Sequence, residues 1–385
     1  MYTNRIINDK LFQNRFYSLK EDPNPKEIFK LIKDYSLSME ANSLGEINTV
    51  QFRNPLDVDK EVRSFVKDLN SYCLDFLIKM ASTVSNKKFS SEAQTFLGMV
   101  YEIGLFDIPR NIKFAFNYYV VAAKQNNKYG TYRLAQAYEK EMGKSNGYSK
   151  AIYFYRCAAK LGCVYGMHTY GSILLSGDLN TTKEFQTGLF YLKLASHKAD
   201  RSYPFPFYDL GQVYESDYNS TEIDPDDEYA FKMYERGARL GCPNSQYRLG
   251  KAFELGQLSK KPCMRLALEY YKDASDNGHM DAQYLLSKFF FTGVDHTLSA
   301  NFDQSFKYAL LCGIRGHPEG AFTVAEFYEK GYGRRRNNLL SLWWYTISFK
   351  FGNTNSDVKI NKLKSTVYKK NIGPSHQPKN FCCFC

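Results

Sequence analysis

The 385-residue chain contains no run of about 18 apolar residues, the length a helix needs to cross a bilayer. Its first residues, MYTNRIINDKLFQ, hold no apolar core of the signal-peptide kind, and Tyr2 stands where N-myristoylation requires glycine. These absences predict a chain that is neither threaded through a membrane nor exported. Motifs of catalysis are missing as well. There is no GxSxG elbow, no Walker loop and no GxGxxG in a strand-to-helix context. The six histidines, His168, His197, His279, His296, His317 and His376, show no HExxH or other paired metal spacing. Cys73, Cys157, Cys163, Cys242, Cys263 and Cys312 are scattered without CxxC spacing, which predicts reduced, buried small residues of a cytosolic protein rather than a disulfide frame or zinc site. No catalytic residue, cofactor or metal ligand is assigned, and the chain is not expected to be an enzyme.

What is present is an ordinary globular balance of 44% hydrophobic and 24% charged residues, enough for a large core. The formal charge is +11, spread along the chain instead of gathered in one block. A nucleic-acid reading would need a basic stripe with stacking aromatics. The tyrosines instead fall at helical core spacing, so packing explains them, and a mild basic excess suits an anionic membrane surface equally well.

One stretch organises the rest. In Ala267 to Phe290, Ala267, Tyr270, Tyr271 and Ala274 recur at i, i+3, i+4 and i+7, the face of a packed helix. Gly278 supplies the left-handed stop, and Ala282, Leu286, Phe289 and Phe290 begin a second helical face, which together predict an antiparallel helix pair. Alignment on the leucine gives Leu97, Leu134, Tyr170, Leu210, Leu249, Leu286 and Val324, spaced by 37, 36, 40, 39, 37 and 38 residues. The next position is always small (Gly98, Ala135, Gly171, Gly211, Gly250, Ser287, Ala325), and four residues past the leucine stand Tyr101, Tyr138, Leu174, Tyr214, Phe253, Phe290 and Tyr328. A small residue beside a large one lets neighbouring helices approach and interlock. Stop glycines recur at Gly162, Gly241, Gly278, Gly316 and Gly352, with Asn126 and Ala199 in the first and third copies. His279 and His317 directly follow such glycines and read as turn residues.

The pattern AQxxLG, an aromatic residue, a loop glycine (Gly104, Gly177, Gly256, Gly293, Gly331), then AxxYYxxAAxxG resembles the Sel-one-like repeat, a relative of the tetratricopeptide repeat, over about Ser91 to Asn353. The resemblance implies an all-α, right-handed α-solenoid of about seven helix-turn-helix repeats with caps. Glu141 and Asp217 replace the loop glycine in two copies, and the fourth carries the acidic insert Glu222 to Glu228. Within this family, YGSILLSG (170–177), GLFYLKLA (188–195) and PFPFYDLGQVYES (204–216) resemble the fungal chitin synthase regulatory factors, the activators of chitin synthase III. That likeness implies a non-catalytic cytoplasmic adaptor that brings a chitin synthase catalytic subunit to the plasma membrane at the septum or bud neck, with no nucleic acid and no small-molecule substrate. The rival readings are a repeat scaffold for another signalling or degradation complex and a repeat-fold hydrolase. Bacterial hydrolases of this kind carry a cysteine pair in each repeat, which is lacking here.

The flanks divide as 1–57, a weakly structured N-terminal region of weakly periodic segments in which Phe29, Leu31 and Ile32 carry the strongest helix signal; 58–90, N-terminal capping helices carrying Phe65, Leu69, Cys73 and Leu77; and 91–353, the repeats. A C-terminal cap helix is expected over 354–370, with Val358, Leu363 and Val367 as its apolar positions, and a flexible tail over 371–385. The terminal CCFC reads as a prenylation box with Cys382 as the thioether site, or as C-x-C with Cys383 and Cys385 as sites. Lys364, Lys369, Lys370 and Lys379 supply basic residues upstream. Arg334, Arg335 and Arg336 form a basic run in the last repeat's loop, a solvated loop or a contact with acidic lipid or an acidic partner.

Overall fold

The structure, a computed structural model, describes residues 10–21, 24, 26–28, 30–32, 60–83, 87–142, 145–215, 224–294 and 297–371. Among them the regular elements are helices, and the only bridge between extended residues is the isolated pair Val294 and Leu298. The chain forms two compact units, Met1–Asp226 and Asp227–Cys385. The first holds α1 (Lys10–Glu21), α2 (Lys60–Ala81), α3 (Lys87–Ile103), α4 (Ile112–Lys124), α5 (Lys128–Met142), α6 (Ser145–Lys160), α7 (Val164–Ser176), α8 (Phe185–Lys198) and α9 (Phe205–Tyr214). The second holds α10 (Asp227–Arg239), α11 (Pro243–Leu255), α12 (Met264–Asp276), α13 (Met280–Thr292), α14 (Phe302–Ile314), α15 (Pro318–Lys330), α16 (Asn338–Lys350) and α17 (Asn355–Asn371).

Within each unit, helices pack in chain order, first helix against second and second against the next first. Six copies place both helices in one unit; in the fourth, α9 closes one unit and α10 opens the other across the acidic insert. Every residue of the aligned leucine register is buried, Tyr170 being the most exposed at 7%. The aromatic register four residues on also fixes the backbone, since its carbonyl accepts the N–H of the residue that starts the second helix. Tyr101, Leu174, Tyr214, Phe253, Phe290 and Tyr328 all do so, at 2.7–2.9 Å. A carbonyl left over at a helix C-terminus and an N–H left over at the next N-terminus thus satisfy each other and fix the hairpin. Asn111, Asn301 and Asn337 add side-chain caps to the second helices α4, α14 and α16.

The stops follow the chemistry of the residue available. Gly278 takes φ +90°, and Asn126 adopts φ +58° in the same register, as asparagine tolerates. Ala199 does not take this conformation. It leaves α8 extended (φ −65°, ψ 141°), and the chain needs the longer turn through Tyr203, where the 40-residue spacing falls.

Three flank expectations change. The region 1–57 contains α1 and helical backbone at 26–28 and 30–32, and Phe16, Ile28, Leu31 and Ile32 are buried in one core with Leu69, Cys73 and Leu77 of α2. Phe16 meets Tyr72 edge-on at 5.4 Å, and the Tyr72 hydroxyl donates to the Leu19 carbonyl at 3.0 Å. Phe29 lies outside the described residues. The cap over 58–90 is the single helix α2, because α3 of the first repeat already starts at Lys87. In α17, Ile360 and Leu363 are buried whereas Val358 is 73% exposed, since only one side of a terminal helix has a neighbour. The tail from 372 onward lies outside the described residues.

Candidate functional site

Inside the repeats, the tyrosine of each second helix decides what the small register faces. Tyr119, Tyr155, Tyr271 and Tyr345 are fully buried, and each hydroxyl donates to a glutamate five residues past the aligned leucine: Glu102 (2.7 Å), Glu139, Glu254 and Glu329 (2.6 Å). A Cβ at Gly98 would lie 2.3 Å from the Tyr119 ring and one at Gly250 2.6 Å from the Tyr271 ring, so the ring occupies the space a side chain would take. Burial alone would push the Glu102 carboxyl up, but the Tyr119 hydroxyl and the charges of Arg133 and Lys140 outweigh it and hold the carboxyl below its ordinary range. Where the tyrosine is replaced, so is the glutamate: Leu192 with Leu175, and Ala309 with Phe291. This joint replacement is readable in the sequence and would have revealed the pair.

The third copy is built differently. Cβ atoms at Gly171 and Gly188 would each lie 2.9 Å from the other's carbonyl oxygen, so α7 and α8 touch backbone to backbone.

Residues fit to recognise a partner gather where one repeat meets the next. Two positions before the aligned leucine stand Tyr132, His168, Tyr208, Tyr247, Tyr284 and Phe322. Tyr247 stacks on His279 (4.2 Å between rings) and Tyr284 on His317 (4.9 Å) from the following turn. These histidines are helix N-caps: His279 Nδ1 accepts from Ala282 N–H at 3.3 Å and His317 Nδ1 from Gly320 N–H at 3.0 Å. Burial holds His279 below its ordinary pKa, with Asp281 opposing and Arg315 reinforcing.

In the first unit the same junctions form an aromatic row. Tyr129 meets Tyr165 at 5.9 Å, Tyr165 meets Tyr203 at 4.1 Å, and Tyr203 meets Phe205 at 5.4 Å, with Tyr132 beside Tyr165 at 5.5 Å. His168 holds the row at Tyr203, whose ring it meets edge-on at 5.5 Å. Its Nε2 lies 2.5 Å from Asp209, and because a carboxylate only accepts, that nitrogen carries a proton; Nδ1 lies 2.7 Å from the Tyr203 hydroxyl, whose hydrogen bond it accepts in the neutral ring. The Asp200 side chain accepts the N–H groups of Ser202 (2.8 Å) and Tyr203 (3.2 Å), which sets the turn. Tyr129 is 45% exposed, and the row offers ring faces and hydroxyls, the chemistry of protein recognition.

The residues singled out from sequence are not brought together. Arg334, Arg335 and Arg336 are exposed in the loop between α15 and α16, with the Arg334 guanidinium 3.7 Å above the Phe306 ring. Lys369 and Lys370 fall on the last turn of α17, where the backbone alone is described. Lys379, Cys382, Cys383 and Cys385 lie outside the described residues. Of the scattered cysteines, Cys73, Cys163, Cys242 and Cys312 are buried, and burial pushes the Cys73 and Cys312 thiols up to about 12; Cys157 and Cys263 are only half-buried. Among the described residues no group of three His, Cys, Asp or Glu could hold a metal ion, and no helix is long and apolar enough to cross a membrane.

Comparison with known proteins gives this arrangement its family. The Sel1 repeat model matches residues 91–127, 129–163, 208–242, 243–279, 281–311 and 318–349, more than half of the chain. The chain belongs to the Sel1 repeat family. The unmatched copy between 163 and 208 is the one with Gly171 against Gly188 and with leucines in place of the Tyr–Glu pair. Among solved structures, a Sel1 repeat protein from Oxalobacter formigenes aligns over 91% of this chain and 93% of its own at a TM-score of 0.56 and 17% identity. A protective antigen of uropathogenic Escherichia coli with this fold covers 93% and 68% at 0.50 and 16% identity. Among curated proteins, chitin synthase regulatory factor 2 of Schizosaccharomyces pombe is 26% identical over 80% of this chain and 63% of its own length. The chitin synthase regulator SKT5 of Saccharomyces cerevisiae is 28% identical over 90% and 49%. The chain thus spans about half to just under two thirds of the length of these relatives.

Proposed function

We propose that this Sel1 repeat chain is a non-catalytic regulator of a chitin synthase, an adaptor that binds the catalytic subunit and holds it at the cytoplasmic face of the plasma membrane where septum and wall chitin are made. The observation that carries the reading is the likeness to a chitin synthase regulator over 90% of the chain. The fold supports an adaptor. A repeat array presents side chains from successive helices along one surface, and the row from Tyr129 to Phe205 offers such a surface with its rings already fixed by packing and hydrogen bonds, so little conformational entropy is lost on binding. The tail would supply the membrane contact through a lipid on Cys382, or on Cys383 and Cys385, with Lys369, Lys370, Lys379 and the Arg334 to Arg336 loop adding charge attraction, because one lipid chain alone anchors only marginally. The test is a pull-down of the chitin synthase catalytic subunit from the host with the tagged full chain, together with septal chitin measured after gene deletion. Capture of the synthase and lowered chitin are expected. Normal chitin with no synthase captured overturns the reading.

A further inference from the structure

The second helices of the first unit carry a charge pattern that packing explains only in part. None of α4 (IKFAFNYYVVAAK), α6 (SNGYSKAIYFYRCAAK) and α8 (FQTGLFYLKLASHK) contains an aspartate or glutamate. Helix α4 has Lys113 and Lys124, α6 has Lys150, Arg156 and Lys160, and α8 has Lys193 and Lys198; only Lys193 is less than exposed. Lysines in a last turn complement the helix dipole, which covers Lys124, Lys160 and Lys198, and Lys150 and Lys193 lie over the Tyr138 and Tyr214 rings at 5.5 and 5.4 Å; Lys113 and Arg156 have neither role. The unit's helical acids in the repeats lie on first helices, as Glu92 and Glu102 on α3, Glu139 and Glu141 on α5 and Asp209 on α9. Of the described loop acids between α3 and α9, Asp107 accepts from Asn70 and Asp200 caps its own turn, leaving Asp178 and Glu184 before α8; Glu215, Asp224 and Asp226 follow α9.

Large apolar side chains stand among these cations. Tyr153 is 61% exposed, Phe190 60%, Phe114 52% and Val121 41%. Tyr153, Arg156 and Lys160 share one face of α6, and Phe190, Lys193 and His197 occupy the same register on α8. The helices present these faces on one side. Val120 and Lys124 of α4 and Tyr153, Cys157 and Leu161 beside α6 border one cleft of about 260 Å³ floored by α5. A Cβ at Gly162, after α6, would lie 3.6 Å from Lys198 Nζ of α8.

We infer that the outer face of α4, α6 and α8 is a membrane-docking surface that rests on an anionic lipid leaflet. Charge complementarity selects an anionic occupant. Tyr153, Phe190 and Phe114 are each more than half exposed, and exposed aromatics among lysines suit the headgroup boundary, where rings settle between headgroups and lysine stems extend to phosphates. The aromatic row on the first helices and their turns then stays free for a protein partner. This surface does not depend on which enzyme is bound, and the test uses lipid alone.

Full-length chain made without lipid modification would be centrifuged with phosphatidylcholine vesicles containing or lacking phosphatidylserine. Binding is expected only with phosphatidylserine and should fall with salt; each neutralised cation should cost about fivefold in partition coefficient. Arg156→Glu with Lys193→Glu should abolish most binding, as should Tyr153→Ser with Phe190→Ser, with unchanged circular dichroism melting as the folding control. If that charge pair unfolds the chain, Lys113→Glu, on the exposed first turn of α4, reads the same effect. No binding to phosphatidylserine vesicles, binding untouched by both double variants, or loss confined to Arg334→Glu, Arg335→Glu and Arg336→Glu overturns the inference, and so does capture by this face of a synthetic acidic peptide in preference to vesicles.

Discussion

The hydroxyl of Tyr119 donates to the carboxylate of Glu102 at 2.7 Å, from the second helix of a repeat to the first, above a glycine that makes room for the ring. Glu102 also meets Lys140 of the following helix at 3.1 Å. The pair therefore ties two helices of one repeat to the next.

Replacing Tyr119 by phenylalanine leaves a half-buried carboxylate short of a donor and should lower the unfolding free energy by about 1–3 kcal/mol in urea titration. The double replacement Tyr119→Leu with Glu102→Leu copies Leu192 and Leu175 of the third repeat, and should cost less than the sum of its single changes. Additive losses would mean the two residues do not act together.

His279 gives the chain an acid-sensitive cap. Its Nδ1 accepts a backbone N–H only when unprotonated, and its pKa is depressed by burial. The neutral cap is fully effective above the unfolded histidine value, about 6.5, and is lost as pH falls through the lower folded value. Wild-type stability should therefore drop on acidification below about pH 6.5 by roughly 1 kcal/mol from this site. His279→Asn, which installs the cap seen at Asn301, should remove that part of the pH dependence in thermal melts.

The contact of Gly171 with Gly188 allows no methyl group, because each would-be Cβ meets backbone rather than a movable side chain. Gly171→Ala and Gly188→Ala should each destabilise the first unit by about 1–3 kcal/mol or more. Gly352→Ala has nothing within 4 Å to strike, so its cost should come from its φ of +104° alone. Differential scanning calorimetry compares them directly.

For the tail, Cys382→Ser in a fluorescent fusion should shift the signal from membrane to cytosol. An unchanged distribution would count against Cys382 as the lipid site, and the same change at Cys383 or Cys385 would then separate the two readings of CCFC.

The motifs that resemble chitin synthase regulatory factors have a physical content beyond recognition. YGSILLSG and GLFYLKLA contain Gly171 and Gly188, the two sides of a backbone-to-backbone helix contact, in the copy that the Sel1 repeat model passes over. Residues that looked like a signature are at least in part a packing device.

The sequence by itself determined the repeat: helical periodicity, a stop residue and a small–large alternation are local properties, so Leu97 through Val324 fall on one buried register that the chain's own spacing reveals. The helical turn role of His279 and His317 was equally legible, since position after a stop glycine leaves few alternatives. Tertiary structure decided which side chains meet, although the joint replacement of tyrosine and glutamate leaves a trace of that one pairing in the sequence. Glu102 and Tyr119 are 17 residues apart with a loop between them, and the stacking of Tyr247 on His279 spans two repeats. Burial of Phe16 against α2 and exposure of Val358 likewise depend on whether a neighbouring helix covers that face, which a helix's own periodicity does not encode.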